Sequence, residues 1–328
     1  MAQFIIGSPL RNLAREHESL RNVLWRLDYA LVWSLHALLR ALPIDLSSQA
    51  GHRLGRWIGA LMKKKSGIFR ENFAIAFPEK SAAELDALVA ASWGQAGRVL
   101  AEYAHLPTII RDTTRLHIEV CEEAAIFADP AKPAVFVTAH MSNWEVIGCA
   151  MSRLGIPSAT LYSPPTNPLL DRLLMDSRTA MDCKLVARDN SARLLMKALK
   201  SGRSASMVMD RRVDDGKGVA FFGEEKLSTI VPAKLALKFD CDMIPVQTVR
   251  QKDASFKVIF YPPIRPASDE QDENTQALNM TEQAHQLFEQ WITTSPQDWF
   301  CSKRLWPRGT LTQRQERNRG ASINSHAA

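Results

Sequence analysis

Apolar and polar residues alternate along this chain with two different periods, and the pattern predicts an α/β domain. Short apolar runs rich in β-branched residues occur at residues 134–138, 158–162, 184–188 and 204–210. Segments with apolar residues at helical spacing lie between these runs. Strands that alternate with helices favour a mostly parallel central sheet flanked by helices.

Two later runs indicate that the sheet is mixed. Residues 243–249 are apolar, and residues 255–264 (SFKVIFYPPI) follow closely with alternating polarity. A short connection between two such runs is typical of antiparallel neighbours. A long amphipathic helix is predicted at residues 275–292.

Two short patterns predict where helices begin. Ser81 and Glu84 form an S-x-x-E pattern, which predicts a capping box. Asn167 precedes Pro168, and this pair is typical of an N-cap followed by proline at the first helical position.

The chain is predicted to have three parts. Residues 71–308 form the α/β domain, which is long enough to bury a sizeable core. Residues 1–70 are predicted to be a basic helical region that associates with a membrane. Residues 309–328 contain too few apolar side chains to pack, and they are predicted to be a disordered tail.

The most apolar stretch is VLWRLDYALVWSLHALLRALP, residues 23–43. Polar or charged side chains interrupt it at Arg26, Asp28, His36 and Arg40. A clean membrane span needs about 20 predominantly apolar residues. Because Trp25, Trp33 and many leucines are flanked by arginines, the stretch favours a helix in an anionic membrane surface. A tilted single span and a buried core helix remain the alternatives.

The distribution of charge along the chain is more informative about function than the overall composition. The formal charge is +6, yet residues 1–70 alone contain eleven Lys or Arg and four acidic residues. The five cysteines are scattered without a C-x-x-C pair, which argues against a disulfide framework or a zinc site and fits a reducing compartment. The start, MAQFIIGSPL, lacks the charged n-region of a secretory signal and is followed by the polar RNLAREHESLRN, so the body of the protein is expected in the cytoplasm.

The candidate chemistry lies in TAHMSNWEV, residues 138–146, directly after an apolar strand. Ligands of open α/β sheets bind beyond the carboxyl ends of strands. On an ideal helix, His140 and Glu145 would point about 140° apart. If His140 ends the strand and Glu145 begins a helix, the carboxylate can instead orient one imidazole nitrogen. The other nitrogen then serves as a general base for an external hydroxyl.

Other interpretations of this segment remain open. His140 can be a structural turn histidine, and Glu145 an early helical residue favoured by the helix dipole. One histidine and one glutamate are too few ligands for a metal, and H-E-x-x-H is absent. No G-x-S-x-G motif is present either, which argues against a serine hydrolase.

Over about residues 25–308 the sequence resembles the lipid A late acyltransferase family of the lauroyl/myristoyl type. This family is related to the glycerolipid acyltransferases with an H-x4-D/E motif, and the resemblance implies their fold. Five blocks carry it in the family's order: RENFAIAFPEKS, TAHMSNWEV, LYSPPTNPLLDRLLMDSR, VMDRRVDDGKGVAFFGEEKLST and PQDWFCSKRLWP.

The resemblance implies that His140 is the general base and Glu145 its orienting partner. It also implies the substrate-binding residues Asn143, Trp144, Tyr162, Ser163, Arg172, Asp210, Arg211, Phe222, Gly223 and Arg304, with Arg178 as a further candidate phosphate contact. Two positions depart from the family pattern. Arg211 stands where glutamine usually follows the aspartate, and Ser163 stands where arginine commonly follows the tyrosine.

The implied reaction transfers a fatty acyl group from acyl carrier protein to a hydroxyl of a lipid A precursor. No cofactor is expected, because the acyl carrier protein is the donor substrate. The expected partners are acyl carrier protein, the lipid A precursor and an anionic membrane surface, and no nucleic acid. The implied location is the cytoplasmic face of the inner membrane of a Gram-negative bacterium.

Three other functions remain open at this stage. They are acyl transfer to another membrane glycolipid or phospholipid, thioester or lipid hydrolysis with His140 activating water, and lipid binding without catalysis.

Overall fold

The computed structural model describes residues 4–6, 10–129, 131–188, 191–268 and 272–325. Helices form its first hundred residues. In chain order they are α1 (Leu13–Glu16), α2 (Glu18–Ala41), α3 (Ile44–Leu61), α4 (Lys63–Ala76), α5 (Ala82–Glu102) and α6 (Leu106–Arg111). The capping box predicted at Ser81 and Glu84 is confirmed at the start of α5.

Strands and helices then alternate. The strands are β1 (Leu116–Glu119), β2 (Val135–Thr138), β3 (Ser158–Tyr162), β4 (Cys183–Ala187), β5 (Ser204–Val208), β6 (Lys217–Phe221), β7 (Glu224–Ser228), β8 (Met243–Arg250) and β9 (Phe256–Phe260). The helices are α7 (Ala125–Ala128), α8 (Val146–Arg153), α9 (Pro168–Ser177), α10 (Ser191–Lys200), α11 (Val231–Lys238), α12 (Glu273–Thr294) and α13 (Thr310–Ser325). Asn167 caps α9, as the sequence predicts.

Seven strands form one mixed sheet in the order β1-β9-β8-β2-β5-β3-β4. The pairs from β8 through β4 are parallel, whereas β8 and β9 are antiparallel. The predicted α/β class with a mostly parallel sheet is therefore confirmed, as is the antiparallel partner of β8. A separate hairpin joins β6 and β7, and its second strand is absent from the sequence prediction.

The core lies on both faces of this sheet because alternate strand residues point to opposite sides. Val135 and Val137 of β2 belong to one buried cluster, which includes α11 and α12. Phe136 belongs to the other, which includes α8. β2 is buried along its whole length, and the residues that follow its carboxyl end are buried as well.

Helix α3 lies so close to α5 that only glycine fits at the contact. A Cβ atom on Gly51 would lie 2.4 Å from the carbonyl oxygen of Gly97, and one on Gly55 would lie 2.2 Å from that of Trp93. The N-terminal helices are thus packed backbone to backbone onto the domain. Helix α4 also runs through the domain boundary expected at residue 70.

The outer surfaces of α2 and α3 expose large apolar side chains. On α2 these are Val23, Leu27, Leu31, Trp33, Leu35 and Leu38, and on α3 they are Leu46, Trp57 and Leu61. The charged Asp28 of α2 is buried, and its carboxylate accepts hydrogen bonds from the backbone N–H groups of Ile5 and Ile6. Among the described residues, no helix is both long enough and apolar enough to cross a membrane.

The prediction of a disordered tail is wrong for Thr310–Ser325, which form α13. Leu311 of this helix packs against the core, and two arginines make polar contacts with the β6–β7 hairpin. Arg314 donates to the Phe222 carbonyl, and Arg317 pairs with Glu224. Composition alone missed these contacts because they join residues about ninety positions apart in the chain. Residues 326–328 lie outside the described residues.

Candidate active site

The predicted general base lies at the carboxyl end of the central strand β2. In the β2–β5 register Thr138 is opposite Val208, and the next hydrogen bond runs from Met209 N to Thr138 O. Two residues further along, His140 and Asp210 therefore face each other across neighbouring parallel strands. Their side chains meet, with His140 Nδ1 2.6 Å from Asp210 Oδ1.

Asp210 is buried and has two partners. Its Oδ1 faces His140, and its Oδ2 accepts a hydrogen bond of 2.9 Å from Trp299 Nε1. Burial alone would raise the pKa of this carboxyl, but His140 and Trp299 outweigh burial and hold the pKa below its ordinary value. An ionised Asp210 keeps the proton of His140 on Nδ1. In the described part of the chain, Nε2 has no hydrogen-bond partner and can accept a proton.

The predicted contact between Glu145 and His140 is wrong. Glu145 sits at the N-cap of α8 and pairs with the buried Arg178, whose Nη2 lies 2.5 Å from Oε2. Trp144 Nε1 donates to the other carboxylate oxygen at 3.1 Å. Arg178 also donates to the hydroxyl of Tyr103 at 2.6 Å. Glu145 therefore braces the turn after β2 from the side, while Asp210 orients the imidazole.

The charges around Arg178 favour its ion pair with Glu145. Burial disfavours its charge, yet Glu145 and the neighbouring Tyr103 hold the pKa of the guanidinium above its ordinary value. The pKa of the Tyr103 hydroxyl is in turn raised by burial and by Glu145. Because Arg178 is committed to this buried ion pair, it is not available as the phosphate contact suggested by the resemblance.

Asn143 is likewise held by the protein. Its Nδ2 donates to Glu102 Oε2 at 2.8 Å, and its Oδ1 accepts from the backbone N–H of Glu145 at 3.2 Å. Glu102 is buried and forms a bidentate pair with Arg250, at 2.6 and 2.9 Å. The side chain of Asn143 therefore fixes the catalytic turn, which leaves its predicted substrate contact without a free polar atom in this structure.

Residues 298–303, here called the C-terminal strap, cross directly over the turn. The backbone N–H of Phe300 donates to the carbonyl of His140 at 2.8 Å, and that of Ser142 donates to the carbonyl of Asp298 at 2.9 Å. Trp144 contacts both His140 and Phe300, and its ring centroid lies 5.1 Å from that of His140 and 5.8 Å from that of Phe300. Trp144 therefore lies beside His140, and its predicted substrate contact stays a prediction.

The strap is anchored on its other side by the RENF motif of α4. Asn72 is buried, and its Nδ2 donates to the carbonyls of Cys301 and Lys303 at 2.8 and 2.7 Å. Phe69, one turn earlier, packs on Phe300 with ring centroids 5.5 Å apart. The first and last blocks of the resemblance are therefore joined in space at the active site.

A buried lysine lies behind Asp210. Lys226 Nζ donates to the Asp210 carbonyl at 2.9 Å and to Ser228 Oγ at 2.7 Å, and it lies over the ring of Phe221. Burial lowers its pKa to about 7, although Asp210 opposes the shift. Ser228 continues the chain to His285, with Oγ 3.0 Å from Nε2. Sequence patterns gave no signal for this network, which depends on the β6–β7 hairpin.

The remaining predicted residues divide into two groups. Tyr162 and Ser163 end the parallel strand β3 at the same edge of the sheet as His140, and Arg172 is exposed on α9. Burial and the charge of Asp171 raise the pKa of Tyr162. Arg211 is partly buried and directly follows Asp210. A substrate role for these four residues stays a prediction.

Arg304, Phe222 and Gly223 are occupied by protein contacts. Arg304 pairs with Glu71 on α4. Phe222 and Gly223 form the two-residue turn between β6 and β7, where both φ angles are positive, at 54° and 74°. This geometry matches a type I′ hairpin turn. The Phe222 ring packs against Phe77 and Trp299 and so lies on the core.

This arrangement is suited to removing a proton from a hydroxyl. A free Nε2, an Nδ1 held by a buried carboxylate and a partly apolar wall of Trp144 and Phe300 are the elements that general base catalysis requires. The positive ends of nearby backbone N–H groups can stabilise a developing oxyanion.

The known proteins that this chain matches are acyltransferases. The family described as bacterial lipid A biosynthesis acyltransferase matches residues 17–308. A lipid A biosynthesis acyltransferase of Haemophilus influenzae is 21% identical over 272 residues, covering 80% of this chain and 82% of the relative. A lipid A biosynthesis palmitoleoyltransferase of Escherichia coli is 24% identical, covering 79% and 84%. A phosphatidylinositol mannoside acyltransferase of Mycobacterium tuberculosis is 25% identical, covering 72% and 76%.

Proposed function

Since this chain belongs to the bacterial lipid A biosynthesis acyltransferase family, we propose that it transfers a fatty acyl group from acyl carrier protein to a hydroxyl of a lipid A precursor. The observation that carries this proposal is the buried pair of His140 Nδ1 and Asp210 Oδ1 at 2.6 Å, with Nε2 available. It requires an external hydroxyl, because no serine or cysteine of the chain is bonded to His140 in the described residues.

The reaction has two proton transfers. Nε2 of His140 takes the proton of the acceptor hydroxyl as its oxygen attacks the thioester carbonyl, and Asp210 stabilises the imidazolium. The tetrahedral intermediate then expels the thiolate, the C–S bond breaks, and the imidazolium returns the proton to sulfur. The products are an ester and the free thiol of the carrier. Glu145 and Arg178 hold the turn that carries His140.

The exposed apolar faces of α2 and α3, together with the basic charge of residues 1–70, support attachment to an anionic membrane surface. We propose that the protein lies on the cytoplasmic face of the inner membrane. There, a soluble carrier and a lipid acceptor can reach the same site. No cofactor is required by this scheme.

A second acceptor class follows from one comparison. The relative from M. tuberculosis is named for acyl transfer to phosphatidylinositol mannoside, and it matches most of this chain. Acyl transfer to another membrane glycolipid with the same His140–Asp210 pair is therefore the alternative.

The test is mass spectrometry of lipid A from a strain that lacks this gene, complemented with wild-type protein or with His140→Ala. We expect one secondary acyl chain to be lost and to return only with wild-type protein, since general base catalysis contributes about 10²–10⁴-fold. His140→Ala must fold and bind membranes as the wild type does for this comparison to hold. Unchanged lipid A in a strain without a redundant homologue would contradict the proposed acceptor, and restoration by His140→Ala would contradict the proposed base.

A further inference from the structure

Three cationic side chains are found on α4, after β5 and on the C-terminal strap. Lys65 of α4, Arg211 after β5 and Lys303 of the strap form no hydrogen bond or ion pair with an acidic side chain within the ranges that the structure describes. The arginines next to two of them do form ion pairs. Arg304, next to Lys303, pairs with Glu71, and Arg212, next to Arg211, pairs with Asp214 at 3.0 Å.

Helix geometry brings Lys65 to the strap. Lys65, Phe69 and Asn72 are spaced i, i+4 and i+7, so they share one face of α4. Phe69 packs on Phe300, and Asn72 binds the carbonyl of Lys303 at 2.7 Å. Lys65 therefore lies one helical turn before the contact between Phe69 and the strap residue Phe300.

The same strap brings Arg211 into the cluster. Trp299 Nε1 donates to the carboxylate of Asp210, and Arg211 is the next residue. Phe300 N donates to the carbonyl of His140. Arg211 thus directly follows one member of the pair, and Lys303 lies three residues after the strap residue that contacts the other.

Electrostatics supports this placement. The pKa of Lys65 is lowered first by burial and then by the charges of Lys303 and Arg211. The pKa of Arg211 is also lowered, by burial and by the nearby Arg188, although Asp210 opposes the shift. Repulsion between like charges destabilises the free protein, and an anionic ligand relieves that repulsion.

We propose that Lys65, Arg211 and Lys303 form a subsite that binds a phosphate group of a substrate beside His140. The inference rests on the proposed acyl transfer. Both proposed substrates carry phosphate: a phosphodiester on the pantetheine arm of the carrier, and a phosphate ester on the lipid A precursor. Charged donors bind phosphate strongly, and arginine does so with two parallel hydrogen bonds.

The experiment removes the phosphate from each substrate in turn. Donors are an acyl-phosphopantetheine and the matching acyl-pantetheine, and acceptors are the phosphorylated precursor and its dephosphorylated form. Wild-type protein, Arg211→Gln, Lys65→Met and Lys303→Met are compared by kcat/KM. Lys64→Met is the matched control, since Lys64 is exposed on the same helix and outside the cluster.

In wild-type protein we expect the phosphate on one substrate to raise kcat/KM by about 10–100-fold, the usual range for a charge-assisted hydrogen bond. Arg211→Gln should reduce that gain to a few-fold, and Lys64→Met should leave it intact. Loss of the donor gain assigns the subsite to the carrier arm, and loss of the acceptor gain assigns it to the lipid. Equal gains in wild-type protein and all three variants would overturn the subsite while leaving acyl transfer standing.

A binding measurement decides the matter without turnover. Inorganic phosphate is titrated into wild-type protein and into the three variants, and tryptophan fluorescence is recorded because Trp144 and Trp299 lie close to the cluster. We expect weaker phosphate binding in each variant and unchanged binding in Lys64→Met. The same affinity in all proteins would overturn the proposal. Absence of acyl transfer by wild-type protein with every substrate would instead contradict the proposed function.

Discussion

Two buried histidines lie on opposite sides of Asp210, and their surroundings give them different chemistry. His140 ends a strand, has a carboxylate on Nδ1 and keeps Nε2 available. His285 lies inside α12, where Nδ1 is 2.8 Å from the Thr281 carbonyl and Nε2 faces Ser228. Burial and the charge of Lys226 lower the pKa of His285 to about 3. Burial alone therefore does not make a histidine a base; a carboxylate on one nitrogen and a free second nitrogen do.

Lys226 separates the two environments. Its ammonium group contacts the backbone of Asp210 on one side and Ser228 on the other. A cation at this position disfavours a second positive charge on His285, while Asp210 supports positive charge on His140. The four predictions below test this difference, beginning with the largest expected effect.

Asp210→Asn should make His140 resemble His285 by removing its carboxylate. We expect kcat to fall by about 10²–10⁴-fold, because the amide no longer stabilises the imidazolium or fixes its tautomer. Steady-state acyl transfer measures the loss, and circular dichroism verifies the fold. Asp182→Asn, which alters a largely exposed carboxylate paired with Arg203, serves as the control. Wild-type turnover in Asp210→Asn would mean that another group orients the imidazole.

Lys226→Met should change how stability depends on pH. The unfolded lysine keeps its proton up to about pH 10.5, whereas the folded one releases it near the lowered pKa of about 7. Between these values the unfolded state binds more protons, so the free energy of unfolding contributed by Lys226 rises with pH. The full effect is on the order of a few kcal/mol.

The measurement is urea denaturation of wild type and Lys226→Met from pH 7 to 8.5. The wild type should gain stability relative to the variant as pH rises. Comparing the two proteins cancels the buried cysteines, whose pKa values are raised by burial and which titrate in both. Parallel stability curves would show that Lys226 does not titrate in this range.

His285→Gln should weaken folding more than catalysis. The substitution disturbs the hydrogen bonds to Ser228 and Thr281 in a buried place, where an unsatisfied group costs about 1–3 kcal/mol. Thermal unfolding should show the loss, while kcat remains within about threefold of wild type, because His285 does not touch the reacting atoms. A loss of kcat comparable to that of Asp210→Asn would join both histidines in one catalytic unit.

Ser142→Gly tests the backbone that distinguishes the two histidines. Ser142 has a φ of 52° in the turn after His140, and its buried hydroxyl lacks a partner among the described residues. Glycine adopts this conformation without the cost of about 1–2 kcal/mol that other residues bear. Part of that gain is offset by greater freedom of the unfolded chain. We expect a small net stabilisation, below about 1 kcal/mol, in the urea midpoint, and a lower midpoint would contradict this assignment.

The sequence predicted the elements better than the contacts between them. The strands at 134–138, 158–162 and 204–210 are local patterns, and each is confirmed within two residues. The position of His140 follows from the same local pattern. The pairing of His140 with Asp210 does not follow from it, because no local pattern indicates that β2 and β5 are neighbours. The sequence shows only that an aspartate ends β5.

The error over Glu145 has the same origin. Glu145 is near His140 in sequence, but α8 begins directly after it and turns its carboxylate toward Arg178. Arg304 and Asn143 were chosen for residue type and motif, yet Glu71 and Glu102 bind them in the folded chain. Long-range ion pairs of this kind depend on topology, which periodicity does not encode. The low apolar content of the tail predicts disorder, whereas Leu311 and two arginines are enough to join its helix to the domain.

The strap has a consequence for the order in which the protein becomes active. Asn72 and Cys301 are 229 positions apart, and Asp210 and Trp299 are 89 apart. During synthesis His140 and Asp210 leave the ribosome long before Trp299 does. Asp210 therefore obtains its second hydrogen bond, and the turn its cover, only when nearly all of the chain has been made. A chain that ends before Trp299 therefore lacks the second hydrogen bond to Asp210.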